Sequence, residues 1–120
     1  MVSNLEVDMK KQDILQIVLK TLEDNKAEDV VQIDLQGKTS IADHMVVATG
    51  NSQRHVAAVA EYVYQALKDN GFKSVMEGQE KADWVLIDAY DVIVHIFRAE
   101  VREFYNIEKM WSAVAEVRKK

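Results

Sequence analysis

Ile14, Leu15, Val18, Leu19 and Leu22 recur at i, i+1, i+4, i+5 and i+8, which gathers them on one stripe of a 3.6-residue turn. An opening helix is predicted, ending at Asp24-Asn25, where Asn tolerates the left-handed conformation that closes helices. Val30, Val31, Ile33 and Leu35 form a short β-branched run, followed by a turn at Gln36-Gly37-Lys38. His44-Met45-Val46-Val47-Ala48-Thr49 is apolar at successive positions, the pattern of a central strand buried on both faces. Gly50-Asn51-Ser52 breaks it, and the Ser52 hydroxyl is placed to cap a second helix with Val56, Val59, Ala60, Val63 and Leu67 at 3–4 spacing. Asn70-Gly71 closes that helix.

Lys73-Ser74-Val75-Met76 predicts a short strand. Asp83-Trp84-Val85-Leu86-Ile87-Asp88 and Asp91-Val92-Ile93-Val94-His95-Ile96-Phe97 predict two longer ones. Only Ala89-Tyr90 separates the pair, the length of a tight antiparallel hairpin. From Ala99 to Val117 the pattern is helical again. The order α-β-β-α-β-β-β-α predicts an α/β fold, with a mixed sheet of about five strands flanked by helices. At 120 residues the chain is expected to form a single domain, residues 1–120.

Composition narrows the chemistry. With no cysteine, disulfide frameworks, zinc ribbons and thiol catalysis are excluded, and a reducing compartment fits. No apolar run approaches the roughly 18–20 residues that span a bilayer. The start, Met1-Val2-Ser3-Asn4-Leu5-Glu6, is acidic and lacks secretory or transit character, so a cytoplasmic protein is expected, without a membrane. The net charge of −5 disfavours nucleic acid as the main direct ligand and permits a basic protein partner.

Each candidate site is weak as catalysis. Gly50-Asn51-Ser52 lacks the length and the Lys-Ser/Thr ending of a phosphate loop, and a turn with a cap explains it. Nucleotidyl transfer needs a carboxylate pair soon after such a junction, but Gln53, Arg54 and His55 follow Ser52. Asp88 and Asp91 flank a turn, where Asp is ordinary turn chemistry. His44, His55 and His95 show no ligand spacing, and His95, between Val94 and Ile96, fits a hydrogen-bonded core residue. No metal site, cofactor or catalytic constellation is expected.

The stretch from Glu77 to Trp111 is richer. Glu77, Glu80, Asp83, Asp88 and Asp91 face a single base, Lys81, and Phe97, Phe104, Tyr105, Met110 and Trp111 follow. Sealing of the sheet by the last helix accounts for most of these rings. Yet Val101, Phe104, Tyr105, Ile107, Met110, Trp111 and Val114 cover more than one helical face, which points to a protein partner or self-association.

These residues also form a recognisable series. Asp43, then Val46-Val47-Ala48-Thr49-Gly50-Asn51-Ser52 and His55, resembles the T-G-x-S-x-x-H stretch of the Iojap family of ribosomal silencing factors. Glu77-Gly78, Asp83-Trp84, Asp88 and Asp91-Val92-Ile93-Val94-His95 resemble its E-G…W…D…D-x-x-V-H block. Arg102 to Trp111 resembles its R-x-x-Y-x-L-E-x-x-W signature, so the likeness runs in register over roughly residues 9–112. The resemblance implies a nucleotidyltransferase-like fold without catalytic carboxylates. It further implies a repressor that binds the large ribosomal subunit through ribosomal protein L14, with little direct nucleic-acid contact, and blocks joining of the small subunit when nutrients are scarce. A homodimer is implied for the free protein. By position, the partner contacts fall on Trp84, Asp88, His95, Phe104, Tyr105 and Trp111, with Glu77 and Glu108 as charged contacts.

One position departs. The family commonly has Gly where this chain has Tyr90, and a bulky residue rarely takes the positive φ of a two-residue hairpin, so a different hairpin tip is expected, with an exposed Tyr90 ring near the interface. Arg118-Lys119-Lys120 reads as a solvated end able to touch ribosomal RNA. Two other readings stay open: a diverged magnesium-dependent nucleotidyltransferase using Ser52, Asp88 and Asp91, and a purely structural dimer.

Overall fold

The computed structural model describes the backbone of residues 4–119 and the side chains of residues 13–113. The elements run α1 (Asn4–Asp24), β1 (Glu28–Asp34), β2 (His44–Gly50), α2 (Gln53–Asp69), β3 (Val75–Glu77), β4 (Trp84–Asp88), β5 (Val92–Arg98), α3 (Ala99–Tyr105) and α4 (Ile107–Lys119). The strands form the one mixed, five-stranded sheet that the sequence pattern predicts, and their order, which the pattern leaves open, is β1-β2-β5-β4-β3. β2 and β5 pair in parallel and the remaining neighbours antiparallel. The central position expected for His44–Thr49 follows from this order, and Val46, Val47 and Ala48 are wholly buried.

Strand alternation divides the sheet into two faces. Val46, Ala48, Val85, Ile87, Val92, Val94 and Ile96 point to the face on which α1 and α2 lie, and meet Val18 and Leu22 of α1 and Val56, Val59, Val63 and Leu67 of α2. Every fully buried member of that cluster is aliphatic. Met45, Val47 and Phe97 point the other way and are closed over by Ile107, Val101 and Trp111 of the C-terminal segment.

The junctions explain the element ends. Ser52 Oγ accepts the His55 N–H at 3.0 Å, the predicted cap of α2. At its far end, Phe72 N donates to Leu67 O at 2.9 Å and Gly71 N to Lys68 O at 3.0 Å, a Schellman closure. Closure of α1 differs in detail from expectation: Lys26, not Asn25, takes the left-handed conformation (φ 61), while Asn25 Nδ2 donates to Thr21 O at 2.8 Å.

Two expectations are corrected. The helix predicted from Ala99 to Val117 is two helices, because Asn106 adopts φ 46 and its N–H turns back to Arg102 O at 2.8 Å. The corner brings Glu108 onto Arg102, whose Nε and Nη2 donate to its carboxylate at 2.6 and 3.0 Å while Nη1 donates to Thr49 Oγ1 at 2.7 Å. This bidentate ion pair ties α3, α4 and the end of β2 together. The second correction concerns the hairpin. Asp88 pairs with Ile93, so the connection is longer than the two residues expected. Tyr90 does take positive φ (67), with Asp91 N donating to Ala89 O across it at 2.8 Å. Asp88 Oδ1 accepts the Tyr90 N–H at 2.9 Å, and Asp91 O accepts from Asp43 N and His44 N at 2.8 and 3.1 Å; these bonds hold a bulky residue in a conformation that Gly takes more readily. The side chains of Val114 and of Arg118-Lys119-Lys120 lie outside the described residues.

Candidate functional site

Alternation that sends Val85 and Ile87 beneath α2 sends Trp84, Leu86 and Asp88 to the opposite face. By register, Ile93, His95 and Phe97 of β5 and Val75 and Glu77 of β3 share it. Packing of α3 and α4 is concentrated on β1, β2 and β5. The β3–β4 side of this face therefore keeps apolar surface: Trp84, Leu86 and Ile93 are half-buried and Val75 is 53% exposed.

Four rings meet at the boundary between the covered and uncovered parts. Trp84 stacks on Phe97 with centroids 4.8 Å apart, and Tyr105 of α3 lies 5.0 Å from it at an interplanar angle of 43°. His95, two residues from Phe97 on the same face, lies 5.8 Å from Trp84, and the Trp84 indole N–H donates to His95 Nδ1 at 2.9 Å. Nδ1 must then carry the lone pair, which fixes the neutral imidazole with its proton on Nε2. Burial lowers the His95 pKa to about 4, so the ring is neutral at ordinary pH and the acceptor persists. Phe104 meets Tyr105 edge-on at 5.0 Å and is 79% exposed, and Met110 is 56% exposed nearby in the chain.

Beside Trp84 opens a shallow cavity of about 510 Å³ whose other walls are the loop Glu77–Lys81 and Asp83. Gly78 makes this possible: its φ is +89, and a Cβ there would sit 2.3 Å from Trp84 O. Among the described residues, the side chains of Glu77 and Glu80 have no hydrogen bond or ion pair, whereas the Asp83 carboxylate accepts from Gln53 at 2.9 Å and pairs with Arg98 at 3.4 Å. The five acids seen in the sequence thus have different surroundings. Glu77 and Asp88 lie on the uncovered face, Glu80 rims the cavity, the Asp83 carboxylate binds back to the fold, and Asp91 does so through its backbone.

Of the eight residues singled out from the sequence, Trp84, His95, Tyr105 and Phe104 form one connected group, with Asp88 and Glu77 across the same face. Trp111 packs half-buried against the second core cluster. Glu108 is engaged by Arg102, and that hydrogen bond holds its carboxyl below the usual carboxylate range despite some burial. Sequence spacing missed four contributors. Arg102 meets Glu108 at i+6, a spacing without meaning on an unbroken helix, and only the Asn106 corner creates it. Phe97, read as sealing, is the floor under Trp84, and Leu86 and Ile93 extend the apolar patch.

The residues of the enzyme reading do not converge. Ser52 follows the C-terminal end of β2, while Asp91 binds the N–H of His44 at its start. The two ends of this seven-residue strand lie roughly 20 Å apart at ~3.3 Å per residue. Junction donors are already used: besides the Ser52 cap, Asn51 N donates to His55 Nδ1 at 3.0 Å, and His55 Nε2 lies 2.9 Å from Asn25 O. Gly50 fits because a Cβ would come within 2.6 Å of Val56 Cγ2. Among the described residues no group of three or more His, Cys, Asp or Glu is placed to hold a metal ion, and no helix is long and apolar enough to cross a membrane.

Comparison with known proteins gives a consistent result. Residues 8–120 match the family model described as ribosomal silencing factor during starvation. A ribosomal silencing factor from Zymomonas mobilis is 48% identical over 99 residues, covering 82% of this chain and 74% of its own. A crystal structure of a Chromobacterium violaceum protein superposes with a TM-score of 0.82 at 42% identity, over 84% of this chain and 85% of the other. A more distant mouse relative, named for mitochondrial assembly of the ribosomal large subunit, is 28% identical over 82% of this chain and 45% of its own length.

Proposed function

The chain belongs to the family of ribosomal silencing factors, and on that premise we propose that it represses translation by binding the large ribosomal subunit through ribosomal protein L14. Bound there in the cytoplasm, it sterically blocks association with the small subunit and lowers translation under nutrient limitation or in stationary phase. It does so by occlusion, without catalysis. The observation that carries this reading is the uncovered sheet face, which holds a half-buried Trp84 among Phe97, His95 and Tyr105 and carries Glu77 and Asp88 farther along. Aromatic anchors fixed before binding supply much of an interface's affinity, and rim charges supply orientation and encounter rate. The acidic balance suits a basic ribosomal protein better than RNA, so direct nucleic-acid contact is minor. The mouse relative's name supports the large subunit as the partner.

Trp84, Phe104, Tyr105, Asp88 and Glu77 are the proposed direct contacts. His95, Trp111 and Glu108 shape the surface from beneath or beside it. In the free protein, the exposed Phe104, Tyr105 and Met110 support pairing of two copies.

Light scattering of subunits mixed at joining magnesium concentration tests the reading, with the protein preincubated on the large subunit. A dose-dependent loss of the joining signal is expected. Full-speed joining at saturating protein would remove the proposed function. Trp84→Ala is expected to fold cooperatively and to bind the large subunit at least about thirtyfold more weakly, the effect of losing a hot-spot ring worth about 2 kcal/mol or more. Normal binding by the folded variant would rule out this face as the contact.

A further inference from the structure

We propose that His95 is a positioning residue for Trp84: by accepting the indole N–H on Nδ1, it selects one orientation of the ring that the face presents to its partner. This rests on the reading of the face as the ribosome-binding surface, but its structural half stands apart from that reading. The floor under Trp84 is flat and apolar, with Phe97 stacked at 4.8 Å and an interplanar angle of 26°. Stacking of that kind tolerates rotation of the indole in its own plane and its reversal about the last side-chain torsion, since either keeps ring on ring. Tyr105, tilted at 43°, adds contact but offers the N–H no partner.

The N–H···Nδ1 bond at 2.9 Å is directional and removes that freedom. Reversing the ring would strand a partly buried donor and leave the acceptor of a buried His unmatched. The donor is on β4 and the acceptor on β5, so the bond joins two neighbouring strands. It thereby fixes the ring relative to Glu77 and Asp88 on the same face. A ring already in its bound orientation loses less rotamer freedom when the partner docks. This gives a buried His a role in binding without requiring it to touch the partner.

Asn and Phe separate the two things that His95 supplies. In His95→Asn, Oδ1 lies where Nδ1 was and still accepts; in His95→Phe the ring contacts remain and the acceptor is lost. Each is made in the full chain, alone and with Trp84→Phe, and NMR follows the Trp84 indole N–H in a Trp111→Phe background. Expected are a protected, hydrogen-bonded indole N–H in the parent and in His95→Asn, and loss of protection in His95→Phe with its backbone spectrum retained. Large-subunit affinity should fall roughly tenfold in His95→Phe and be restored in His95→Asn, with no further loss when His95→Phe is added to Trp84→Phe. A protected indole N–H in folded His95→Phe would overturn the proposal, as would an equal loss of affinity in the Trp84→Phe background. Should the parent protein itself fail to bind the large subunit, the functional reading falls, and the indole N–H alone decides whether His95 sets the ring.

Discussion

Alternate residues of β4 lead very different lives. Val85 and Ile87 point beneath α2 and are wholly buried among aliphatic side chains, whereas Trp84, Leu86 and Asp88 point to a face that α3 and α4 cover only in part. β5 repeats the division, with Val92, Val94 and Ile96 on one side and Ile93, His95 and Phe97 on the other. One face is closed, apolar and concerned with stability. The other mixes rings, an imidazole and carboxylates, a composition that a closed core would tolerate poorly and a docking surface uses. A single strand can serve both because its side-chain period is two, so neighbouring positions are under separate physical demands.

That division is most directly broken by truncating adjacent residues. Ile87→Ala leaves a cavity in the closed face and is expected to lower unfolding free energy by about 2–5 kcal/mol, while Leu86→Ala, half-exposed next to it, should cost about 1 kcal/mol. Chemical denaturation of both variants measures the contrast. Equal losses would mean that the second face is as much a core as the first.

Acid sharpens the same contrast, because only the second face buries an imidazole. The His95 pKa falls from 6.5 to about 4 on folding, so below 6.5 the unfolded chain binds a proton that the folded chain refuses. Stability is therefore complete above pH 6.5 and declines as pH falls through the window to about 4, by on the order of 3 kcal/mol at ~1.4 kcal/mol per pKa unit. Glu108 has the same sign, but its stabilisation is lost only as pH falls below 4.5, so the two contributions occupy different windows. Denaturation midpoints between pH 7 and 4.5 should slope in the parent and flatten in His95→Phe. An unchanged slope in that variant would place the acid sensitivity elsewhere.

Much of this organisation was legible in the chain. The closed face declares itself through periodicity, since Val56, Val59, Ala60, Val63 and Leu67 and the alternate residues of β4 and β5 can satisfy their spacing only by burial together. Ser52 was readable as a cap because its chemistry is local. The open face was legible as a set of residue types but not as an arrangement. Nothing in the spacing of Trp84 and His95 announces their hydrogen bond, which depends on the β4–β5 register pairing Leu86 with His95 and Trp84 with Phe97. The break at Asn106 was hidden for a similar reason. The apolar pattern continues through it, and the compensating Arg102–Glu108–Thr49 contacts are tertiary. Apolar positions spread over more than one face of a helix can signal a partner, but here they also record a change in helix direction.

The smallest expected effect concerns the tip that joins β4 and β5 and belongs to neither face. Tyr90 holds φ 67 with its ring 65% exposed, so its side chain contributes little burial while its backbone occupies a region that costs a non-glycine residue about 1 kcal/mol. The ring does line a groove with Tyr64, Phe72 and Val75, and substitution therefore alters two quantities at once. Comparing Tyr90→Gly with Tyr90→Ala separates them, because both lose the ring and only Gly relieves the backbone. Tyr90→Gly should be the more stable of the two by about 1 kcal/mol, with large-subunit affinity alike in both. Equal stability would show that the Asp88 and Asp91 hydrogen bonds, rather than the residue at the tip, set the conformation of the turn. A difference in affinity would instead extend the docking face around the end of the hairpin.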